Sequence, residues 1–251
     1  MKNSNKSSEV CSKCHGTYWI LTEEGNAKRC SCYNRELANR RSRFASIPNK
    51  YKDVTLESTR IDLFELEQNK KAMKNIIDVV NAYVNEFSEQ HENGKGLYFY
   101  SQTKGTGKTR MAAALANKFL ENYQVKFATS ISILEEIKAS WGKEREYSES
   151  KLIDDLIMTD ILIIDDFGIE NVKEWINNKF YHIINERYIT KRVTIYTSNV
   201  PIERLPYDSR ITNRVLESTY SISFPEESIR NMIGAYNQMI IKRMADKNEN
   251  E

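Results

Sequence analysis

The segment Leu97-Tyr-Phe-Tyr-Ser-Gln-Thr-Lys-Gly105-Thr-Gly107-Lys108-Thr109 constrains the fold of this chain more than any other. A buried apolar strand runs into a glycine loop, and the loop opens an Ala-rich helix read over Met111–Leu120. Glycines let the backbone curl so that several N–H groups face one anion. The first turn of the following helix adds the positive end of its dipole. In such a loop the lysine, Lys108, reaches the β- and γ-phosphates of a nucleotide, and the Thr109 hydroxyl ligates Mg²⁺. The residues expected to hold nucleotide are therefore Gly105, Thr106, Gly107, Lys108, Thr109 and Arg110. The full pattern G-x-x-x-x-G-K-[ST] has glycine where this chain has Gln102, so backbone strain or a reshaped first turn is expected there.

The surrounding sequence supplies further strands and helices. Ala72, Ile76, Ile77, Val80, Tyr83, Val84 and Phe87 recur at helical spacing. Val125–Thr129 reads as a strand, Ile131–Lys138 as a helix, Asp160–Asp165 as a nearly pure apolar strand, Val172–Arg187 as a helix and Val193–Thr197 as a strand. Alternation of this kind predicts an α/β fold, a parallel sheet with helices on both faces.

The apolar strand ends in two carboxylates, Asp165 and Asp166. In a phosphate-loop protein the first belongs beside Mg²⁺ and the second is placed to polarise an attacking water. Aspartate is one methylene shorter than the glutamate many such ATPases carry, so slow ATP hydrolysis is expected. The strand Val193-Thr-Ile-Tyr-Thr-Ser-Asn199 ends in a polar cluster, and Asn199 is the candidate sensor of the terminal phosphate. Arg210 and Arg214 share a helix face four residues apart. Read from the sequence alone they are surface charge; either one, presented to a neighbouring subunit's nucleotide, would make hydrolysis depend on assembly.

All four cysteines lie between positions 11 and 32. Cys11-x₂-Cys14 and Cys30-x-Cys32 have the pairing of a zinc knuckle, with a short hairpin expected between the pairs. So short a module buries too little to fold alone, and Zn²⁺ would supply the missing free energy. His15 reads as a bystander. Net charge is only +2, but residues 1–56 carry 11 Lys/Arg against 5 Asp/Glu, so the N-terminal part is the basic end and fits an acidic partner. Residues 34–44, NRELANRRSRF, read as a basic helix that ends before Ile47-Pro48. The division expected is 1–33 as zinc module, 34–57 as basic helical linker and 58–251 as ATPase domain. The N-terminus lacks an apolar signal core and no run is long enough to span a bilayer, so no membrane role and a cytoplasmic location are expected. Lys138, Trp141, Lys143 and Arg145 are candidates for contact with single-stranded DNA, though Trp141 reads first as a packing residue. The run from Lys242 to Glu251 reads as a frayed, charged tail.

Taken in order, Asp165-Asp-Phe-Gly, Glu174-Trp175, Ile184-Asn-Glu-Arg187-Tyr188, Thr197-Ser-Asn199, Arg210…Arg214 and Ser228-Ile-Arg230 resemble the bacterial helicase-loader ATPases of the DnaC/DnaI type. They also resemble the related IstB-type transposition helpers, and both groups belong to the AAA+ superfamily. The resemblance spans roughly residues 45–235, from Ile47-Pro48…Tyr51 onward. It implies Lys108 and Thr109 as the Walker A pair, Asp165 and Asp166 as Walker B, Asn199 as sensor 1, Arg214 as arginine finger with Arg210 as competitor, and Arg230 as sensor 2. Relatives often have glycine where this chain has Pro-Glu-Glu before Ser228. A zinc module ahead of the ATPase resembles the DnaI-like and phage-encoded loaders. It implies a replicative helicase bound through the N-terminal region, single-stranded DNA as a further partner, and homo-oligomers formed on ATP or DNA. The alternatives are a DNA-binding transposition helper and a nucleotide-binding scaffold that hydrolyses little.

Overall fold

In the computed structural model the residues described are 11–22, 25–141 and 148–248. Lys143, Arg145 and the last residues of the C-terminal run lie outside them. By internal packing the chain forms two units, Met1–Phe44 and Ala45–Glu251.

In the first unit, β1 (Trp19–Leu21) and β2 (Ala27–Arg29) pair antiparallel, with Trp19 opposite Arg29. They form the hairpin expected between the cysteine pairs. Helix α1 (Ser31–Ala45) follows directly, so Cys32 lies in its first turn. The guanidinium of Arg29 lies over the rings of Trp19 and Tyr33, 4.5 and 4.0 Å from their centres. Helix α1 stops at Ala45, where Ser46 turns left-handed (φ 56°) just before Ile47-Pro48.

The second unit continues with α2 (Glu67–Asn85), α3 (Phe87–Glu92), β3 (Gly96–Tyr100), α4 (Lys108–Phe119), β4 (Val125–Thr129), α5 (Ser130–Ala139), α6 (Glu149–Met158) and β5 (Ile161–Asp165). After them come α7 (Glu174–Ile189), β6 (Val193–Ser198), α8 (Ser209–Ser218), β7 (Thr219–Ser223) and α9 (Ile229–Asn248). The sheet order is β4-β5-β6-β3-β7 and every pairing is parallel. Successive side chains on a strand point to opposite faces, so each strand feeds two cores. Leu97, Phe99, Ile161, Ile163, Val193 and Ile195 pack with α2, α3 and α4 on one face. Tyr98, Leu162, Ile164 and Tyr196 pack with α5, α6, α7 and α8 on the other. Because both faces are covered there, the central strands β3, β5 and β6 read as largely apolar or β-branched runs. The α/β sheet expected from the sequence is borne out.

Helix α6, edge strand β7 and α9 were not legible in advance. The expected frayed tail is instead helical through Asn248, as the last turns of α9, which exposes Met239, Ile241 and Met244. The order places β6, which carries the polar cluster, between β5 and β3. The carboxyl ends of these three strands therefore open side by side, where parallel α/β sheets present their ligand sites.

Candidate functional site

The loop after β3 turns left-handed at Gly105 (φ 81°) and Gly107 (φ 103°), and α4 starts at Lys108. A side chain at Gly105 would meet Arg230 and Ser228 at under 3 Å, so the loop packs tightly on the start of α9. Gln102 is not among the left-handed residues, so the strain expected from the missing glycine does not arise. Lys108 is buried, and its ammonium donates to the Ser101 carbonyl (3.3 Å), the Thr103 carbonyl (3.2 Å) and Thr106 Oγ1 (3.5 Å). Burial pulls its pKa down, and the nearby charges of Asp166, Glu226 and Asp165 oppose that fall.

Asp165 ends β5 and is buried. Thr197 Oγ1 donates to its Oδ1 at 2.6 Å, and Thr109 also hydrogen-bonds its side chain. Burial pushes the Asp165 carboxyl above the usual carboxylate range, aided by the negative charge of Asp166, while the hydroxyls of Thr197 and Thr109 pull the other way. The same Thr197 hydroxyl accepts the Asp166 N–H at 2.9 Å. Asp166 is left-handed (φ 54°), a conformation that stores about 1 kcal/mol or more in a residue with a side chain. The Ser130 hydroxyl donates to its carbonyl, so neighbours hold the strained peptide from both ends.

A cavity of about 520 Å³ opens onto these groups, and Tyr51, Lys108, Thr109, Asp166, Asn199 and Arg230 line it. A second cavity of about 290 Å³ adjoins it, with Leu63, Phe64, Met73, Met111 and Ile233 as apolar walls. The structure thus brings together Gly105, Thr106, Gly107, Lys108, Thr109, Arg110, Asp166, Asn199 and Arg230 around one space, with Asp165 bonded to Thr109. Arg210 and Arg214 do not line it. On α8, Arg214 donates to Asn185 Oδ1 (2.7 Å) and to the Arg210 carbonyl (2.8 Å). Arg210 pairs with Asp208 at 3.0 Å, and both guanidinium groups lie over the Tyr181 ring.

Three features escaped the sequence reading. Thr197 was legible only as one letter of a motif, yet it ties Asp165 to Asp166. Glu226 accepts from the N–H groups of Gln102 (2.9 Å) and Thr103 (2.7 Å). The apolar cavity draws on residues before β3 with no shared sequence pattern. Trp141 packs edge-on against Trp175 and donates to Glu149, while its own ring is half exposed.

In the first unit the Sγ atoms of Cys11, Cys14, Cys30 and Cys32 lie within 4.8 Å of one another, and all four thiols are free of disulfides. Cys11 and Cys30 are 3.8 Å apart, Cys14 and Cys32 3.3 Å. Tetrahedral zinc–thiolate bonds set sulfurs about 3.8 Å apart, so the cluster fits such an ion. The N–H groups of Lys13 and Cys14 favour the Cys11 thiolate and bring its pKa down to about 6, whereas burial pushes Cys32 up. His15 is not part of the cluster.

Comparison with known proteins is consistent with this geometry. The replicative helicase loader DnaC of Escherichia coli (strain K12) is 27% identical over 132 residues, 52% of this chain and 52% of that protein. The DnaC of Buchnera aphidicola subsp. Baizongia pistaciae is 24% identical over 152 residues, 59% of this chain and 62% of that one. The chain thus spans little more than half the length of these relatives. Among solved structures, DnaI superposes with a TM-score of 0.59 at 22% identity, covering 72% of this chain and 95% of that chain. That likeness speaks for the fold, which is the AAA+ one. Residues 32–219, about three quarters of the sequence, match the family described as IstB-like ATP binding protein. The resemblance read from the motifs is therefore borne out, and the chain belongs to the family of IstB-like ATP binding proteins.

Proposed function

We propose that this protein binds and slowly hydrolyses ATP, and uses that cycle to load a replicative DNA helicase. The observation that carries the reading is the meeting of Lys108, Thr109 and Asp165 at the mouth of the parallel sheet. The amides of Gly105–Thr109 and the Lys108 ammonium would hold the phosphates. The apolar cavity beside them suits a purine base. Thr109 and Asp165 would hold Mg²⁺, whose role is to offset phosphate charge. Asp166 would orient water, Asn199 would register the terminal phosphate and Arg230 would contact it from within the same chain. Arg214, with Arg210 as the competitor, would act on the site of a second copy, which fits their placement away from the cavity.

The loader role rests on the DnaC relatives. In this reading residues 1–33 form a zinc module held by Cys11, Cys14, Cys30 and Cys32, residues 34–57 a basic linker and residues 58–251 the ATPase. The first two would grip the helicase, the ATPase would contact single-stranded DNA, and copies would assemble on ATP or DNA. A cytoplasmic location follows from the role; among the described residues no helix is long and apolar enough to cross a membrane.

The test has two arms. A fluorescent ATP analogue should bind the wild type and fail to bind Lys108→Ala. The purified protein should deliver a replicative helicase onto single-stranded DNA with ATP, and Lys108→Ala should not. ATP binding without helicase capture, together with capture of a transposase, would favour the transposition-helper reading that the family match supports. Binding without turnover, with or without DNA, would favour a scaffold.

A further inference from the structure

A departure of this sequence from the usual pattern meets a distant segment in space. Gln102 stands where the phosphate-loop pattern has its first glycine, and Pro225-Glu226-Glu227 precedes Ser228. Glu226 places one carboxylate oxygen on each of two consecutive loop amides, Gln102 N–H and Thr103 N–H. Burial opposes its charge, but donors from Thr103, Gln102 and Ser101 hold the carboxyl below the usual glutamate range. Its neighbours in sequence grip the same loop. Phe224 N–H donates to the Tyr100 carbonyl (2.8 Å) and Ile229 N–H to the Gly105 carbonyl (3.1 Å). Glu227 receives the N–H groups of Glu65 and Leu66, at the start of α2, and the Asn69 amide. The connection from β7 to α9 is thus bonded to the phosphate loop at its entrance, in its first turn and at Gly105.

We infer that Glu226 is a positioning residue of the phosphate loop, a carboxylate clamp that fixes the first turn of a loop lacking its usual glycine and ties it to the helix bearing Arg230. The inference rests on the nucleotide-site reading above. Gln102 keeps an ordinary φ because the turn is fixed by an acceptor for its amide, with no left-handed glycine at that position. The clamp lies before Gly105, so it leaves the amides from Gly105 to Thr109 to the phosphates. A charge-assisted bond to a backbone amide is about twice as strong as a neutral one, so the clamp is worth more than an ordinary turn contact.

The experiment compares Glu226→Ala, Glu226→Gln and Glu227→Ala with the wild type in the full-length protein. The first readout is hydrogen exchange at Gln102 and Thr103 without nucleotide. The second is the Kd for ATP and for ADP, and the third is kcat against KM. Glu226→Ala should speed exchange at both amides and weaken ATP and ADP alike, by about tenfold. KM should rise with kcat little changed, because a misplaced loop weakens ground state and transition state together. Glu226→Gln keeps one acceptor and should fall between. Glu227→Ala should lower melting temperature while leaving nucleotide Kd unchanged. Tighter ATP binding in Glu226→Ala would overturn the inference, since the carboxylate would then be a competitor of phosphate. Unchanged exchange at Gln102 and Thr103 would overturn it too. If the wild type bound no nucleotide, the functional reading would fail, while the exchange measurement would still decide whether the clamp exists.

Discussion

Replacing Thr197 by valine removes one hydroxyl that two groups share. The hydroxyl donates to Asp165 Oδ1 at 2.6 Å and accepts from Asp166 N–H at 2.9 Å, and Thr197 is fully buried in β6. The loss has two parts. A bond to a charged acceptor contributes about 1.5–3 kcal/mol, and a buried amide left without an acceptor costs about 1–3 kcal/mol. Valine fits the same volume, so no cavity is added, and the expected destabilisation is about 3 kcal/mol near neutral pH. Equilibrium urea denaturation at several pH values measures it, with Thr197→Ser as the control that restores both bonds. The pH dependence carries the finer test. The folded-state pKa of Asp165 is raised above the usual value, so within the window from that value up to the raised one the folded state holds more protons than the unfolded state. Stability contributed by this group therefore falls as pH rises through the window. Losing the Thr197 hydroxyl raises the pKa further and widens the window upward. The gap between Thr197→Val and wild type should accordingly be largest above both folded-state pKa values and shrink as pH falls from the variant's folded-state pKa to the wild type's. A gap under about 0.5 kcal/mol at neutral pH, or one that widens in acid, would refute the role given to this hydroxyl.

Three other outcomes are expected. The buried guanidinium of Arg187 donates to the carbonyls of Leu156, Ile157 and Thr159 at the end of α6 and to those of Val193 and Asp160, so Arg187→Met should lose about 3–5 kcal/mol in urea denaturation; Arg187→Lys, lacking the planar fork, should recover only part. On the zinc reading, chelation should release about one zinc per chain by colorimetric titration and, like Cys14→Ser, abolish the circular-dichroism signature of the first unit. Asp166→Gly should raise stability by about 0.5–1 kcal/mol through relief of the left-handed backbone and at the same time remove ATP turnover; a protein with faster turnover would exclude Asp166 from the chemistry.

How far the sequence could be read depended on how local each signal is. The phosphate loop was legible because strand, glycines, lysine and helix follow one another within a few residues, and the structure keeps that order. Strands β5 and β6 were legible because burial on both faces leaves them apolar and β-branched, and edge strand β4 because Val125 and Phe127 alternate with Lys126. Strand β7 was not, because Thr219-Tyr-Ser-Ile-Ser is an exposed edge with little apolar content, held in place by its pairing with β3. Helix α9 was not, because its apolar residues are spread around the helix and leave no single stripe. The role of Arg187 was hidden for a different reason. The residue helped to mark the family, yet its chemistry is the capping of a helix thirty residues away in sequence. Glu226 was visible only as a departure, and its partner, the Gln102 amide, lies 124 residues back in the chain.

The placement of charge around the main cavity narrows what it can hold. Lys50, Lys104, Lys108, Arg110 and Arg230 line it against Asp166, with Asp165 bonded to Thr109 on the same side. Cations thus come from the segment before β3, the glycine loop, the start of α4 and α9, while carboxylates come from the end of β5. A ligand with uniform negative charge would satisfy the first group and be repelled by the second. A polyanion that carries a divalent cation at one end satisfies both, because the cation offsets the carboxylates while the free oxygens meet Lys108 and the loop amides. Replacing Asp165 by asparagine should therefore weaken the magnesium dependence of nucleotide binding more than the binding itself, whereas Lys108→Ala should do the reverse; equal effects of both changes on both quantities would mean that the charges act only as a diffuse field.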